Sequence, residues 1–316
     1  MISCQEVISF LKYAANINIL WKFIVQIKIP TMVGHPHVID AIIMRDNSHP
    51  YVHGHSDRES ERLHYQASKL AELLHDDTRY PPKSRVLEAA CGVGAQTVIL
   101  TQNSPGAEFM SVDISPESLA KAKDRVLREG ITNATFRQAD IYDLPFGSET
   151  FDHIFVCFLL EHLPDPLLAL LNLKWILRPK GTITVIEGDH GSALFYPDSS
   201  NAHRVIDCLV QLQRQTGGNA LIGRELRHLL TDAGFMEVTV SPRQVYADQS
   251  RPESIEGVKN IFIAMVEGVR EPAIKGGLVD IETWEKGIRD LYRTTEQDGS
   301  FCYTFFKAVG IKEGSK

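Results

Sequence analysis

The sequence predicts an α/β protein with a doubly wound, mostly parallel sheet, and three observations carry that prediction. Short apolar runs of strand length alternate with helical stretches between residues 85 and 187, a glycine-containing turn follows the first run, and an acid stands at the end of each of the first three strands or just past it. Parallel strands need a crossover connection to return, so this alternation places helices on both faces of one sheet. In such sheets ligands bind beyond the carboxyl ends of the strands.

Each element has its own signal. The helix from Ser56 opens on a capping box, Ser56-Asp57-Arg58-Glu59, and Leu63, Ala67, Leu70 and Leu74 recur on one face. Tyr80-Pro81-Pro82 ends it, because proline cannot continue a helix. Strands are expected at Arg85 to Ala89, Glu108 to Val112, Thr135 to Gln138, His153 to Cys157 and Thr182 to Glu187. The helix after the first strand runs to about Gln102; the next is capped by Ser115, has Pro116 at its first position and closes at Gly130. A leucine-rich helix from Pro166 to about Leu177 is stopped by Pro179 and Gly181. Beyond residue 191 the rhythm breaks: helices are expected near 199–216 and 223–233, strands near Glu237 to Ser241 and Phe301 to Ala308, and a helix-rich insertion between them.

Composition bounds the function. With 33 Lys+Arg against 40 Asp+Glu in 316 residues, the net charge is −7, which argues against non-specific nucleic-acid binding. Five widely spaced cysteines with no CxxC pair suggest neither a zinc site nor a disulfide framework, so no metal is expected and a reducing cytoplasm fits. From Ile17 to Ile29 every odd position is apolar, a strand-like alternation interrupted by Lys22, Gln26 and Lys28 and too short to span a membrane. It also lacks the features of a secretion signal. Residues 1–43 read as an extension, with Met44 as an alternative start; 44–191 form the core, and 192–316 supply insertions and the last two strands.

The strongest local signal is Val86-Leu-Glu-Ala-Ala-Cys-Gly-Val-Gly94, an apolar strand running through a carboxylate into a Gly-x-Gly turn at a helix mouth. Glycines there admit close approach of a ligand, and the helix offers free N–H groups. A dinucleotide fingerprint would need glycine or alanine at 97, where Thr97 stands, so a pyrophosphate ligand is disfavoured and Glu88 suits a cationic one. Asp113 ends the second strand 19 residues after Gly94, the place for an acid accepting both hydroxyls of a ribose. Asp140 follows the third strand and suits an exocyclic amine, with Ile114 and Ile141 flanking a flat ring. For any one acid a solvated or capping role is the commoner one; three at successive strand ends point to a site.

These motifs resemble the class I S-adenosylmethionine-dependent methyltransferases. The resemblance rests on Glu88-Ala-Ala-Cys-Gly-Val-Gly94, Val112-Asp-Ile-Ser115, Gln138-Ala-Asp-Ile-Tyr-Asp-Leu-Pro-Phe146, Phe151-Asp-His-Ile-Phe155 with Leu160-Glu-His-Leu-Pro-Asp165, and Leu177-Arg-Pro-Lys-Gly181. It is closest to the small-molecule branch that includes the ubiquinone and menaquinone biosynthesis methyltransferases. The resemblance implies a Rossmann-like seven-stranded sheet with an antiparallel last strand, helical insertions on the substrate side, and S-adenosylmethionine as cofactor. It implies that Glu88, Gly92 and Gly94 surround the methionine part, Asp113 binds the ribose, and Asp140 and Ile141 hold the adenine, with Cys157 and Phe158 beside the methionyl group; Gln96 and Ile114 are further cofactor-binding candidates. Tyr51, Arg62 and Gln66 are candidate lid contacts. Two positions depart from the pattern: Ala90 and Lys180 stand where the family has glycine, and Ala90 is expected to widen the turn slightly or lower cofactor affinity, Lys180 only to change a surface loop.

Methyl transfer from a sulfonium asks mainly for positioning and exclusion of water, with a base only where the nucleophile must lose a proton. His162, Asp189 and His190 lie at the right sheet edge for that role, as does Glu187. Phe195, Tyr196, His203, Arg224 and Tyr246 are candidates for selecting the acceptor, expected to be a small molecule and not a nucleic acid, with no integral membrane segment. The sequence leaves a homodimer open. Competing readings are a non-catalytic S-adenosylmethionine-binding module, an aminopropyl transferase of the same fold, and, weakest, a nicotinamide oxidoreductase.

Overall fold

The structure is a computed structural model that describes residues 57–314. Tyr51, Ser56 and residues 1–43 lie outside the described residues, as do the side chains of Arg62 and Leu63. The chain opens on helix α1, Asp57–His75, whose Ala67, Leu70 and Leu74 are buried as their spacing predicts.

From there the elements follow one another as strand and crossover. β1 (Arg85–Ala89) leads to α2 (Ala95–Asn103), β2 (Glu108–Asp113) to α3 (Pro116–Arg128), and β3 (Ala134–Gln138) to β4 (Phe151–Cys157). A 3₁₀ turn at Leu160–His162 precedes α4 (Pro166–Ile176), which passes directly into β5 (Leu177–Gly188). Ser115 caps α3 by accepting from the Ser118 N–H, with Pro116 in the first turn, and Asp165 caps α4 through Leu168 in the same way.

The later half completes the same sheet. A short strand β6 (Leu194–Tyr196) and helix α5 (Ser200–Gln215) come first, then α6 (Leu226–Asp232) and β7 (Met236–Ala247). Next, α7 (Pro252–Gly257), a π-helical turn at Val258–Ile263 and α8 (Ala264–Glu267) form one continuous helical stretch. α9 (Arg270–Lys275), α10 (Ile281–Arg293) and the long β8 (Ser300–Ile311) close the chain.

Strands β3, β2, β1, β4 and β5 are parallel neighbours in that order, and β8 runs antiparallel to β5. One edge of β8 takes β5 over Phe305–Ile311 and β6 over Ser300–Cys302; its other edge takes β7. The sheet therefore has eight strands where seven were expected. β6 was missed because three residues are too few for a period-2 pattern to register. The expected strand at 182–187 also begins earlier, since the chain passes Pro179 extended and recovers register through an irregularity between Phe151 and His153 of its partner.

Two apolar layers hold the sheet. On one face Leu70, Leu74, Leu100, Phe109, Phe155, Ile186 and Phe301 pack with α5 and the insertion helices; on the other Leu87, Ile154, Val156, Leu173, Ile183, Val185 and Leu230 pack with α4 and α6. Central strands buried on both faces explain the unbroken apolar runs in the sequence.

The carboxyl end of α1 is fixed to β7 and β8 by two cations. Lys307, only 4% exposed, donates to the Leu74 carbonyl (3.2 Å), the Thr78 hydroxyl (2.6 Å) and Asp77, while Arg243 pairs with Asp76 and Asp77. Burial would raise the Asp77 carboxyl, but hydrogen bonds from Lys307 and Arg243 bring it down to about 2. Cations on the last carbonyls of a helix also complement its dipole.

Candidate active site

Three loops at the carboxyl edge are stitched together by their own backbone. After β1 the chain turns sharply: Ala90, Gly92 and Gly94 have φ of 58°, 52° and 76°. At Gly94 a Cβ would meet the Cα and Cβ of Ala122 at 2.9 Å, so α2 and α3 approach closely only because a glycine stands there. At Gly92 the same construction meets nothing within 4 Å; the turn borders open space. The Cys91 N–H bonds the Val112 carbonyl (2.9 Å), and the Gly92 N–H bonds Asp113 Oδ2 (2.8 Å). Asp113 Oδ1 accepts from the Ser115 N–H (2.9 Å), so this acid shapes the turns after β1 and β2 at once.

Glu88 lies beneath this turn, 2% exposed. Its Oε2 accepts from the hydroxyls of Thr97 (2.7 Å) and Ser111 (2.6 Å), and its Oε1 is buried without a partner. Burial, with the nearby Asp113 charge, raises this carboxyl to about 7, against the pull of the two hydroxyls. Thr97, the residue that breaks the dinucleotide pattern, thus holds the site's carboxylate. No sequence rule singled out Ser111; its place opposite Glu88 in the β1–β2 register was the available signal.

Past β2, Ile114 stands 53% exposed, its carbonyl held by Gln138 Nε2 at 3.0 Å. Asp140 accepts from the Tyr142 N–H through Oδ1 (2.8 Å), and Ile141 packs on the apolar layer below. Gln66 is buried on α1, and Gln96 stands in the first turn of α2, directly after the glycine turn. At the end of β4 Cys157 is buried, and burial raises its thiol far above the usual range, with the Glu187 carboxyl adding to the effect. Phe158 then takes φ of 54°. A bulky side chain in that region is costly, and the Phe158 N–H bond to the Ile186 carbonyl (2.9 Å) helps hold it there.

A second set of polar groups gathers over the ends of β4, β5 and β8. Glu187, fully buried, accepts from the N–H groups of Leu159 (3.0 Å) and Leu160 (2.7 Å), which fixes the 3₁₀ turn carrying Glu161 and His162. Burial, with the Glu161 charge adding to it, pushes the Glu187 carboxyl well above the usual carboxylate range. Its Oε2 is buried without a partner. Glu161 places Oε1 3.6 Å from His162 Nε2 and Oε2 3.6 Å from His190 Nε2, and Gln213 donates to it from α5 at 3.2 Å. His190 Nδ1 lies 2.7 Å from the Tyr303 hydroxyl. Asp189 is gripped by Arg224 in a two-pronged pair (2.6 and 2.7 Å) and caps the turn at Gly191.

Of the sequence-level candidates, the structure therefore brings His162, Asp189, His190 and Arg224 together. It separates the others: Phe195 and His203 stack on each other at 4.6 Å, while Tyr196 and Tyr246 are exposed. Glu161 and Tyr303 were overlooked. Glu161 was visible only as half of the Glu161-His162 doublet, and Tyr303 is indistinguishable from a core aromatic in an alternating strand. Among the described residues no cluster of three metal-ligating side chains occurs, and no helix is long and apolar enough to cross a membrane.

Comparison with known proteins decides the family. Residues 87–185 match the model of a methyltransferase domain. An uncharacterised methyltransferase of Schizosaccharomyces pombe is 30% identical over 231 residues, covering 69% of this chain and 80% of that one. The chain belongs to the S-adenosylmethionine-dependent methyltransferases. The methyltransferase is also 33% identical over 103 residues to a demethylmenaquinone methyltransferase of Thermus thermophilus, spanning 46% of that protein's length. A solved candidate methyltransferase of Bacillus halodurans shares the fold, with TM-score 0.51 at 18% identity over 78% of this chain and 99% of that one. The enzyme's cofactor is S-adenosylmethionine, and the residues present fit it. The turn at Gly92 opens where a cofactor must approach, Glu88 has an unpartnered buried oxygen beneath it, and Ile114 offers an exposed apolar face beyond Asp113.

Both departures from the family pattern have a backbone reason. Ala90 (φ 58°) and Lys180 (φ 64°) each adopt the left-handed conformation that glycine takes without strain. Ala90 keeps the turn's shape instead of widening it, at a cost in strain; Lys180 lies within β5, where its N–H bonds the Lys312 carbonyl (2.9 Å), and not in a surface loop.

Proposed function

We propose that this methyltransferase acts on a small-molecule acceptor held at the ends of β4, β5 and β8, facing the cofactor at the ends of β1, β2 and β3. The observation that carries the reading is the aromatic wall beside the second position. Phe158 packs on Phe305 (5.6 Å), Phe305 on Tyr303 (4.8 Å), and Phe262 of the π-helical turn on both Tyr303 (5.3 Å) and Phe301 (4.8 Å). A packed aromatic cluster beside the reacting groups suits a compact acceptor and keeps water out, whereas a macromolecular acceptor needs an open, and for nucleic acid a basic, face.

Bound S-adenosylmethionine supplies an activated methyl group on a sulfonium. The chain's own residues hold and orient. Glu88, through its unpartnered Oε1, and the turn at Gly92, Gly94 and Gln96 take the methionine part; Asp113 takes the ribose with Ile114 beside it; Asp140 and Ile141 take the adenine. Gln66, Cys157 and Phe158 border the methionyl end. Asp189, committed to Arg224, positions the loop; of His162, Asp189 and His190, the two histidines are the ones able to move a proton.

Calorimetric titration with S-adenosylmethionine, with NAD as control, tests the cofactor site. A screen of small phenols, carbon acids and amines, read by S-adenosylhomocysteine release and a mass gain of one methyl, tests the acceptor. Binding of S-adenosylmethionine alone, with turnover of at least one such class, is the expected result. Turnover confined to a protein or nucleic-acid acceptor would overturn the small-molecule reading.

A further inference from the structure

We propose that Tyr303, His190 and Glu161 form a buried proton-accepting relay at the acceptor position, so that the acceptor is one that gives up a proton as it takes the methyl group, a phenol or carbon acid. This rests on the placement of the acceptor proposed above. The three residues come from β8, from the loop after β5 and from the 3₁₀ turn after β4, and all are buried. Their order is set by distance: the Tyr303 hydroxyl to His190 Nδ1 at 2.7 Å, and His190 Nε2 to Glu161 Oε2 at 3.6 Å.

Each member is held by neighbours whose simplest role is to hold it. The His190 N–H bonds the Ala220 carbonyl (2.9 Å), Gln213 donates to Glu161, and a Cβ on Gly188 would lie 2.5 Å from the Tyr303 oxygen. Only glycine at 188 lets the phenol reach the histidine. Tyr303 is also one ring contact from Phe305 and two from Phe158, the residue that follows the β4 strand end.

The chemistry follows from the arrangement. Burial pushes the Tyr303 phenol well above its usual range, with the Glu161 charge adding to it, so a lasting phenolate is disfavoured. The hydroxyl therefore donates to Nδ1, and His190 carries its own proton on Nε2, toward the Glu161 carboxylate. When an acceptor X–H reacts, Tyr303 Oη takes its proton while passing its own to His190 Nδ1. The X–H bonding pair forms the new X–C bond, the S–C pair stays on sulfur, and the imidazolium is balanced by Glu161. The other charged or titratable groups facing His190 are His162 on the same turn as Glu161, Glu187 at the end of β5, and Asp189 with its partner Arg224. Burial pushes the Glu187 carboxyl up and Asp189 is paired with Arg224, so Glu161 is the carboxyl that faces His190 Nε2.

Two measurements on the full chain test this. Long-range ¹H–¹⁵N spectra of the histidine rings, with His190→Gln assigning the signal, should show His190 as the Nε2–H form at neutral pH, and Tyr303→Phe should shift its Nδ1 resonance. In the acceptor screen, Tyr303→Phe and His190→Gln should each lower kcat for phenols or carbon acids by roughly 10²-fold or more while cofactor affinity stays within about twofold. An Nδ1–H tautomer at His190, an Nδ1 signal indifferent to Tyr303→Phe, or a Tyr303→Phe enzyme within about threefold of wild-type kcat would overturn the relay. Failure of the wild-type protein to bind S-adenosylmethionine would count against the cofactor placement instead, and the ring spectra would still decide whether the relay exists.

Discussion

The two halves of the carboxyl edge are built on different plans. Over β1, β2 and β3 the polar groups sit on consecutive loops, each within a few residues of its strand, and each loop bonds the next: Gly92 to Asp113, Ala139 to the Asp113 carbonyl, Gln138 to Ile114. Over β4, β5 and β8 they converge from positions as far apart as 161, 190, 224 and 303. The first plan suits an invariant ligand, such as the cofactor proposed there. The second can be altered at one segment without disturbing the others, which suits the part of an enzyme that must fit its own acceptor.

The sharpest way to break the first half is Gly94→Ala. A new Cβ at 2.9 Å from the Ala122 backbone, in a left-handed conformation, should cost about 3 kcal/mol in unfolding experiments and remove cofactor binding. A change confined to stability would mean that the turn does not form the cofactor site.

Acid should act through His75, whose ring lies against Phe155 of β4 (5.6 Å between centroids). Burial, with Lys307 nearby, lowers this imidazole from its ordinary 6.5 to about 4. Because the folded protein binds the proton less readily than the unfolded chain, the neutral ring's contribution is complete above about pH 6.5 and is lost as pH falls toward 4, on the order of 3 kcal/mol. Denaturant titrations across that window should show the slope, and His75→Leu should flatten it.

Asp113→Ala separates the halves most directly. Loss of the charge-assisted bonds should weaken S-adenosylmethionine binding by about 1.5–3 kcal/mol in calorimetry and leave the tautomer of His190 unchanged. Equal affinity would show that the acid only shapes the turn. The smallest effect is expected from Ala90→Gly and Lys180→Gly. Each relieves a left-handed residue and should raise stability by at most about 1 kcal/mol, partly offset by the freer unfolded chain, with Ala90→Gly alone also tightening the cofactor.

These contrasts track what the sequence made legible. Ser115-Pro116 and Gly130 act through contacts within a few residues, and the run Val86 to Gly94 carries its strand-then-glycine pattern in consecutive positions, so these caps, turns and strand ends were readable one by one. Glu88 was recognised as a site acid, but that Thr97 and Ser111 share one of its oxygens depends on two elements side by side. Lys307 gave no signal in an apolar strand; its burial makes sense only because the end of α1, with Leu74, Asp77 and Thr78, folds over it. β6 escaped for want of length, and its place against Cys302 comes from β8 extending past the end of β5.

The sequence by itself determined the parallel core, the glycine turn after β1 and the family, because periodicity, capping and glycine placement are short-range and survive without knowledge of the partner elements. Only the tertiary structure decided that Glu161, His190 and Tyr303 meet, that Asp189 is committed to Arg224, and that Glu187 is fully buried. Those outcomes depend on desolvation and on distances between segments up to 142 residues apart, from 161 to 303, and neither quantity is written in the local order of residues.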